Sequence, residues 1–380
     1  MPIDGAQSSP ATDLRAPSST KARATPVSVS VKPHRLVDRD AAGVVEPRTM
    51  PTSGPLVDRY GRVHRDLRIS ITDRCNLRCV YCMPDEGMTF LPHDQLLSVD
   101  EIERVARVAY DLGIRSVRLT GGEPLVRRGV VDIVARLVAL GFDDVALTTN
   151  ATRLAPIAPA LRSAGLGRVN VSCDSLHPER FASIRRRGEL ATVLAAMDVA
   201  ESVGLAPLKL NVVLVRGAND DEILDFAAHA RETGRIVRFI EFMPLDAQGA
   251  WDRDQLVPGR EVLERINAVW PLEPVADPAR LAPAERFRFA DGHGEIGLIS
   301  SVTEPFCGTC DRLRLTADGS IRNCLFSDDE HSLRDRLRAG ADDGAIESGF
   351  RRAVWAKFPG HAINEPGFLR PRRSMSMIGG

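Results

Sequence analysis

The sequence predicts an α/β fold, a partial (β/α)6 barrel followed by a smaller C-terminal region. Beyond residue 66, short apolar runs typical of strands alternate with amphipathic segments typical of helices, which is the pattern of parallel βαβ units. A closed barrel needs eight strands. Six runs precede Met243, which favours an open, partial barrel, with a doubly wound sheet as the alternative. The predicted strands are 67–72, 116–120, 145–149, 168–173, 208–214 and 236–242.

Three segments between these runs have helical periodicity: 99–112, 130–140 and 220–233. Ser98 and Glu101 form a capping-box pair, in which each side chain bonds the backbone N–H of the other residue. Asn219 precedes an acidic first turn, which is another start signal. Helices that alternate with strands in this way support the barrel prediction.

The chain divides into three predicted parts. Residues 1–55 are rich in Ser, Ala, Pro, Thr and Arg without helical or strand periodicity, which predicts a disordered extension. An organelle transit peptide is the alternative, and Asp4 and Asp13 count against it because such peptides are poor in acidic residues. Residues 56–245 form the predicted barrel, and residues 246–380 form the predicted C-terminal region.

Composition points to a globular protein whose electrostatic features are local. The 380-residue chain has a formal net charge of −1, so neither nucleic acid nor a membrane is indicated as a partner. We find no segment with the length and apolar character of a membrane span, and no secretory signal. Six of the seven cysteines lie in two tight groups, which favours metal ligation over disulfides and predicts a reducing, cytoplasmic compartment.

The first cysteine group follows the first predicted strand, at the end where the active sites of α/β barrels lie. Cys75, Cys79 and Cys82 have the spacing C-x3-C-x2-C. Three thiolates can hold three irons of a four-iron, four-sulfur cluster and leave the fourth iron open. A zinc site is the alternative, but it normally has four protein ligands, and the nearest histidine, His93, lies eleven residues beyond Cys82.

Side-chain alternation puts polar residues on one face of strand after strand. Arg68, Arg118, Lys209 and Arg238 are cations in these strands. The interior of a filled barrel is apolar, and charged side chains are seldom buried without partners. We therefore expect an anionic ligand in the lumen. Pairing with lumen carboxylates such as Asp174, or exposure at strand ends, is the alternative.

The second cysteine group has the spacing C-x2-C-x13-C and consists of Cys307, Cys310 and Cys324. An intervening Asp-Gly pair predicts a hairpin that brings the last two cysteines to one site. A second open-iron cluster and a zinc hairpin completed by His331 fit this spacing about equally well. Arg312 and Arg314 share a strand face beside these cysteines, which suits phosphate or carboxylate recognition, with a solvated strand as the alternative.

A Gly-Gly-Glu-Pro segment at 121–124 follows the second predicted strand. Together with the first cysteine spacing and the aromatic Tyr81 before Cys82, it resembles the radical S-adenosylmethionine superfamily. The resemblance implies a partial (β/α)6 barrel in which S-adenosylmethionine binds the open iron. It also implies that one electron cleaves this cofactor to a 5′-deoxyadenosyl radical, which abstracts a hydrogen atom from the substrate.

Further motifs narrow the resemblance. The run Leu-Arg-Ile-Ser-Ile-Thr-Asp-Arg-Cys at 67–75, the segment Arg-Phe-Ile-Glu-Phe-Met at 238–243, the second cysteine group and the terminal Gly-Gly resemble the GTP 3′,8-cyclase family of molybdenum-cofactor biosynthesis. The resemblance extends from about residue 56 to the last residue. It implies two [4Fe-4S] clusters, and the open iron of the second would face the guanine base.

The same resemblance implies roles for individual residues. S-adenosylmethionine would contact Tyr81, Gly122, Ser172 and Met243. GTP would be bound by Arg68, Arg118, Thr148, Lys209, Arg312 and Arg314. The two terminal glycines, Gly379 and Gly380, would reach into the active site, so we expect their deletion to abolish the cyclised product while both clusters remain.

The implied reaction removes the C3′ hydrogen of GTP and joins C3′ to C8, which gives (8S)-3′,8-cyclo-7,8-dihydroguanosine 5′-triphosphate. The implied partners are an electron donor and the cyclic pyranopterin monophosphate synthase that takes the product, and a homodimer is common for such enzymes. Another radical enzyme with an auxiliary cluster is one alternative, and a non-enzymatic metal-binding module is the other. Cys173 lies on the apolar face of its strand and is predicted to be a small buried hydrophobe.

Overall fold

The computed structural model describes residues 49–276 and 282–379. The predicted disordered extension, residues 1–55, therefore lies almost entirely outside the described residues. Within them, twelve strands form a single sheet in the order β12-β11-β10-β1-β2-β3-β4-β5-β6-β9-β8-β7. The central six strands are parallel to one another, and each is followed by at least one helix. This is the predicted partial (β/α)6 barrel.

The central strands agree with the predicted ones to within two residues at either end. They are β1 Asp66–Ser70, β2 Ser116–Thr120, β3 Asp144–Thr149, β4 Arg168–Ser172, β5 Lys209–Leu214 and β6 Ile236–Glu241. β1 ends earlier than predicted, although the Ile71 N–H still donates to the Thr120 carbonyl at 2.9 Å. The chain leaves the sheet at that point and enters the first cysteine group.

Helices lie between the strands and beyond them. They are α1 Val99–Asp111, α2 Val130–Ala139, α3 Ala158–Ser163, α4 Pro178–Arg185, α5 Leu190–Ser202, α6 Ile223–Thr233, α7 Gly259–Asn267, α8 Arg334–Arg338, α9 Asp343–Trp355 and α10 Met375–Ile378. The predicted capping box of Ser98 and Glu101 is present at the start of α1. Short 3-10 helices cover His93–Gln95, Pro124–Val126, Asp220–Glu222, Arg253–Gln255 and Cys307–Thr309.

One helix prediction is wrong at its start. Residues 220–222 form a 3-10 turn, and the α-helix begins only at Ile223. Asn219 does not cap it, because its side-chain amide donates to the Asp174 carbonyl at 2.7 Å and its oxygen accepts from the Val215 N–H at 2.8 Å. The buried Glu222 is also engaged elsewhere, since it accepts from the Ser175 hydroxyl at 2.7 Å. Tertiary hydrogen bonds thus override the local start signal.

The C-terminal strands extend the barrel sheet at both edges. They are β7 Leu272–Pro274, β8 Glu285–Phe289, β9 Glu295–Ile299, β10 Arg312–Leu315, β11 Ser320–Arg322 and β12 Glu330–Ser332. β9 pairs parallel to β6, and β10 pairs parallel to β1 with Arg312 opposite Asp66 and Arg314 opposite Arg68. In the described part of the chain these strands therefore form no sheet of their own. The boundaries at residues 55 and 245 stay predictions.

The apolar core lies between the outer face of the sheet and the helices. Leu67 and Ile69 of β1 are fully buried there, as are Val105 and Ala106 of α1. The other face of the strands is polar and lines the lumen, as the alternation predicts. None of the helices in the described ranges combines the length and the apolar character that crossing a membrane requires.

Candidate functional site

The Gly-Gly-Glu-Pro segment packs directly on the first cysteine loop. A Cβ on Gly122 would lie 2.5 Å from the Arg74 carbonyl oxygen and 2.6 Å from that of Asp73, so only glycine permits this approach. The Gly122 N–H donates to the Thr72 carbonyl at 2.7 Å, and the Glu123 N–H donates to Arg74 at 2.8 Å. These bonds fix the loop that carries the thiols against the end of β2.

The thiols of Cys75, Cys79 and Cys82 face a common cavity. The Leu77 N–H donates to the Cys75 sulfur at 3.4 Å, and the Arg185 guanidinium donates to the Cys79 sulfur at 3.3 Å. Burial raises the pKa of Cys75 to about 11, and it also raises the pKa of Cys79 and of Cys82. A bound metal would offset this cost, because a coordinating thiol is deprotonated by the ion's charge.

Three arginines stand side by side on adjacent strands of the lumen. Arg314 of β10, Arg68 of β1 and Arg118 of β2 are register partners, and parallel strands lie about 4.8 Å apart. Burial, Arg314 and Arg118 together hold the pKa of Arg68 well below its usual value. The Nε atoms of Arg68 and Arg118 are buried without a hydrogen-bond partner. Buried donors normally have hydrogen-bond partners, so this row of arginines favours binding of an anion.

Lumen carboxylates do not neutralise these cations. Asp174 instead pairs with Arg185, Nη2 to Oδ2 at 2.8 Å, and accepts from the Tyr81 hydroxyl at 2.6 Å. Across the described residues, Arg68, Arg118, Lys209, Arg238, Arg312 and Arg314 form no salt bridge with a carboxylate. Burial and the charges of Arg238 and Arg168 lower the pKa of Lys209 to about 8. The anion-ligand interpretation is thus favoured over internal pairing.

Neutral polar groups hold Arg238 in position. Its Nε donates to Asn211 at 2.9 Å and its Nη2 donates to Asn170 at 2.9 Å. Asn170 in turn donates to the Thr148 hydroxyl at 3.4 Å. Gly297, the register partner of Arg238, leaves room for the arginine side chain, since a Cβ on Gly297 would lie 3.1 Å from Cγ of Arg238. These contacts orient a guanidinium without reducing its charge.

The second cysteine group flanks the predicted hairpin of β10 and β11: Cys307 and Cys310 precede β10, and Cys324 follows β11. Burial raises the pKa of Cys307 to about 11. Burial also acts to raise the pKa of Cys310, but Arg312 and Lys357 outweigh it and lower this pKa to about 6. Lys357 donates to the Cys310 sulfur at 3.6 Å and to the Arg312 carbonyl at 2.7 Å. Cys310 is therefore poised as a thiolate ligand.

The thiol spacing does not suit a single zinc ion. In a tetrahedral zinc site the sulfurs would be only about 3.8 Å apart, given Zn–S bonds of about 2.3 Å. Over residues 49–276 and 282–379, three potential ligand atoms lie mutually within 4.8 Å only at His177, Glu222 and Asp225, and neither cysteine group qualifies. His93 and His331 do not line the cavity. A multi-iron cluster, which is wider than one ion, fits both groups better.

The C-terminal tail inserts beside the arginine row. Gly379 is buried, and its carbonyl accepts a hydrogen bond from Arg314. A Cβ on Gly379 would lie 2.8 Å from Cβ of Ser70 and 3.0 Å from Cγ2 of Thr120, at the carboxyl ends of β1 and β2. The tail thus approaches the site that its sequence predicts. Gly380 lies outside the described residues.

One cavity joins most of the predicted site residues. The lining residues include both cysteine groups, the four predicted S-adenosylmethionine contacts Tyr81, Gly122, Ser172 and Met243, and the predicted GTP contacts Arg68, Arg118, Thr148, Arg312 and Arg314. Lys209 is not in the lining, although it interacts electrostatically with Arg238 and Arg118, which are. Two separate sequence motifs and the strand faces between them therefore belong to one site.

Sequence reasoning missed three side chains of this site. Arg185 contacts Cys79 from the end of α4, and Arg62 donates to the Cys307 carbonyl at 2.7 Å and to the Phe358 carbonyl at 2.6 Å. Neither belongs to a recognisable pattern. Lys357 carried a usable signal in the sequence, because the chain has only four lysines, and the structure shows that this one is buried.

Cys173 is not part of the cavity lining. It is fully buried, and its sulfur bonds the Ser175 carbonyl at 3.2 Å. Burial raises its pKa to about 12. It remains a protonated thiol, in agreement with the predicted hydrophobic role.

Family models match two consecutive stretches of the chain. The model of the Radical SAM superfamily matches residues 69–230, and the model described as Molybdenum Cofactor Synthesis C matches residues 235–363. The first stretch extends from the end of β1 through β5 and most of α6, to residue 230, and includes the first cysteine group. The second covers β6 and the second cysteine group.

Curated relatives match nearly the whole chain. A protein of Mycobacterium sp. (strain KMS) named GTP 3′,8-cyclase is 49% identical over 346 residues, which are 90% of this chain and 97% of that protein. The GTP 3′,8-cyclase of Corynebacterium glutamicum (strain ATCC 13032) is 48% identical over 336 residues, 86% of this chain and 89% of that protein. GTP 3′,8-cyclase 2 of Mycobacterium tuberculosis (strain H37Rv) is 48% identical over 344 residues, 89% and 96% of the two chains.

Solved structures share the fold at low identity. The crystal structure of Streptococcus suis SuiB has a TM-score of 0.54 at 14% identity and covers 79% of this chain and 68% of that chain. SuiB bound to S-adenosylmethionine has a TM-score of 0.52 at 14% identity, over 79% of this chain and 66% of that chain, just under two thirds of its length. These similarities bear on the fold alone.

Proposed function

The chain belongs to the GTP 3′,8-cyclase family of radical S-adenosylmethionine enzymes, and we propose that the cavity described above is its active site. The protein converts GTP to (8S)-3′,8-cyclo-7,8-dihydroguanosine 5′-triphosphate, the first step of molybdenum-cofactor biosynthesis. The observation that carries the assignment of the site is that a single cavity is lined by both cysteine groups and by a row of cations without carboxylate partners.

Cys75, Cys79 and Cys82 would hold the [4Fe-4S] cluster that the radical S-adenosylmethionine family uses. When bound, this cluster and S-adenosylmethionine supply the radical that removes a hydrogen atom from the ribose. The residues of the chain bind and orient the reactants. Tyr81, Gly122, Ser172 and Met243 would contact S-adenosylmethionine; their shared position in the cavity lining supports this.

The arginine row would bind the triphosphate of GTP. Guanidinium groups suit phosphate oxygens because they donate two parallel hydrogen bonds, and Arg68 and Arg118 have buried donors without partners. Lys209 would add a point charge, which its low pKa makes sensitive to the ligand. Thr148, linked through Asn170 to Arg238, would complete the polar contacts.

Cys307, Cys310 and Cys324 would hold a second [4Fe-4S] cluster, with Arg312 and Arg314 as further GTP contacts. Among the described residues, the three sulfurs do not all lie within 4.8 Å of one another, which supports a cluster over the zinc alternative, and the low pKa of Cys310 favours the thiolate that a metal centre binds. His331 does not line the cavity and would not be a fourth ligand. With three thiol ligands, one iron would remain open to the guanine base. Gly379, which accepts from Arg314, would close the active site together with Gly380.

The enzyme would also need partners and a suitable compartment. An external donor would supply the electron, the cyclic pyranopterin monophosphate synthase would take the product, and a homodimer is the proposed assembly. The six clustered free thiols support a reducing, cytoplasmic compartment, since cysteines there are kept reduced and seldom form disulfides.

The test is product formation without oxygen. The full chain is reconstituted with iron and sulfide and is then given S-adenosylmethionine, dithionite and GTP. The mixture is analysed by mass spectrometry for 5′-deoxyadenosine and for a cyclic isomer of GTP. Both are expected with GTP and neither with ATP. Matched samples of Cys75→Ala should lose both products, and Cys310→Ala should lose the GTP product.

Three outcomes would each contradict a different part of the proposal. If 5′-deoxyadenosine forms while GTP is unchanged, the substrate assignment of the cavity is wrong. If protein with about eight irons per chain, the content of two four-iron clusters, forms neither compound, the catalytic role of the cavity is wrong. Four irons with full activity would contradict the second cluster alone.

A further inference from the structure

Arg185, the last residue of α4, is buried against the first cysteine group. Only 3% of its surface is exposed, and its Nη1 donates to the Cys79 sulfur at 3.3 Å. Two backbone bonds attach this end of the helix to the cysteine loop, from the Arg78 N–H to the Arg185 carbonyl at 3.2 Å and from the Val80 N–H to the Ile184 carbonyl at 3.0 Å. The guanidinium is therefore held where it is by the backbone as well as by its own contacts.

Asp174 holds the other side of the guanidinium. Its Oδ2 lies 2.8 Å from Nη2 of Arg185 and accepts from the Tyr81 hydroxyl at 2.6 Å, while its Oδ1 accepts from the Val213 N–H at 2.9 Å. Asp174 is 1% exposed, so both charges are buried. The pair is thus oriented with its positive end on the sulfur and its negative end away from it.

The other two thiols accept hydrogen bonds from neutral groups only among the described residues, although the negative charge of Glu123 also acts on Cys75. Cys75 accepts from the Leu77 N–H at 3.4 Å and lies 3.9 Å from the Asn150 side-chain nitrogen, and Cys82 receives a backbone hydrogen bond from Ser376. Within the described ranges, Arg185 is therefore the charged side chain that donates to the first cysteine group. A purely structural ion pair between Arg185 and Asp174 would not require this contact with Cys79.

Charge at a ligand sulfur changes the electron affinity of a cluster. The reduced cluster carries one more negative charge than the oxidised one, so a positive group and a hydrogen bond at the thiolate stabilise the reduced form more. The buried surroundings strengthen the effect, because the effective dielectric constant is low there. Asp174 opposes the effect, but its charge acts on Cys79 more weakly than the charge of Arg185 does.

We propose that Arg185 is a positioning residue that raises the reduction potential of the cluster on Cys75, Cys79 and Cys82, with Asp174 and Tyr81 fixing its orientation. The inference rests on the proposed function, in that these cysteines must hold a cluster. Arg185 makes the cluster easier to reduce by an external one-electron donor, and Asp174 limits how far the potential rises. The reaction itself is unchanged: one electron enters the cluster before the cofactor is cleaved.

The test is a redox titration of the reconstituted full chain, followed by electron paramagnetic resonance. The signal of the first cluster is identified as the one that changes when S-adenosylmethionine is added. Arg185→Gln keeps a polar donor but removes the charge, and we expect its reduction equilibrium to shift about tenfold towards the oxidised form, which is about 59 mV for one electron. Arg187→Gln, an exposed arginine two residues further on, is the matched control and should titrate like the wild type.

A second variant gives the opposite sign. Asp174→Asn keeps an oxygen to accept from the Val213 N–H but removes the counter-charge, so we expect a higher potential than in the wild type. This result would support the inference even if Arg185→Gln lost its cluster. An unchanged or lower potential in Asp174→Asn, or an unchanged potential in a fully loaded Arg185→Gln, would overturn it. Absence of any signal sensitive to S-adenosylmethionine in the wild type would contradict the proposed function, and the inference with it.

Discussion

Gly379→Ala tests whether the inserted tail takes part in catalysis. Gly379 has φ +83° and ψ 93°, a conformation that residues with a side chain rarely adopt. The added methyl group would also lie 2.8 Å from Cβ of Ser70 and 3.0 Å from Cγ2 of Thr120. Ser70 is part of the central sheet and Thr120 ends β2, so neither neighbour can move away without disturbing the barrel.

The backbone conformation alone sets a lower limit on the effect. A residue with a side chain in a sparsely populated region of φ and ψ costs about 1–3 kcal/mol. Since about 1.4 kcal/mol corresponds to a factor of ten, the inserted tail would be about 5- to 150-fold less populated relative to a displaced one. The close contacts with Ser70 and Thr120 add to this, so the upper half of the range is expected.

Turnover of GTP by fully reconstituted protein is the assay. We expect cyclised product to fall by about 30- to 150-fold, in line with the population of the inserted tail, while the iron content stays that of the wild type. Gly367→Ala is the matched control, because Gly367 has φ +88°, is exposed and has no atom within 4 Å of its would-be Cβ. Wild-type turnover by Gly379→Ala would refute the reasoning, and so would an equal loss in Gly367→Ala.

Three further predictions follow from the pKa shifts and the thiol contacts. GTP affinity measured by calorimetry should weaken as the pH rises through about 8, because Lys209 then loses its proton in the ligand-free protein, and Lys209→Arg should show a flatter profile; equal pH profiles would contradict this role. Cys173→Val should leave iron and sulfide per chain unchanged, since this buried thiol donates to the Ser175 carbonyl and lies outside the cavity lining, and a loss of iron would show that it is a ligand. Lys357→Met removes a cation that lowers the pKa of Cys310, so less iron should bind at pH 7 and the deficit should shrink at pH 9; full loading at pH 7 would exclude that role.

The parts of the site that were predicted from the sequence depend on local periodicity. Alternation along a strand assigns Arg68 and Arg118 to the lumen whatever lies next to that strand, and the structure confirms it. The spacing of Cys75, Cys79 and Cys82 is likewise a property of one short loop. Local patterns of this kind survive folding because neighbouring residues remain neighbours.

The parts that were missed depend on contacts between distant segments. Arg185 meets Cys79 across 106 residues of sequence, and Arg62 meets Cys307 across 245. The pairing of β10 with β1, which completes the arginine row with Arg314, joins two equally distant segments. The spacing and composition of the two segments do not predict such contacts, because the contacts arise only when the C-terminal strands add to the edge of the barrel.

The lumen arginines and the buried thiols each lack a ligand of opposite charge in the ligand-free chain. Burial, together with repulsion from the neighbouring guanidinium groups, lowers the pKa of Arg68 in the lumen, whereas burial keeps the thiols of Cys75 and Cys82 protonated by raising their pKa. Each feature costs free energy in the ligand-free chain. An anionic substrate removes the first cost, and a positively charged metal group removes the second. The same residues that destabilise the empty site therefore favour an anion and a metal group there, and this explains why cationic strand faces and grouped cysteines predict those two ligand classes from the sequence.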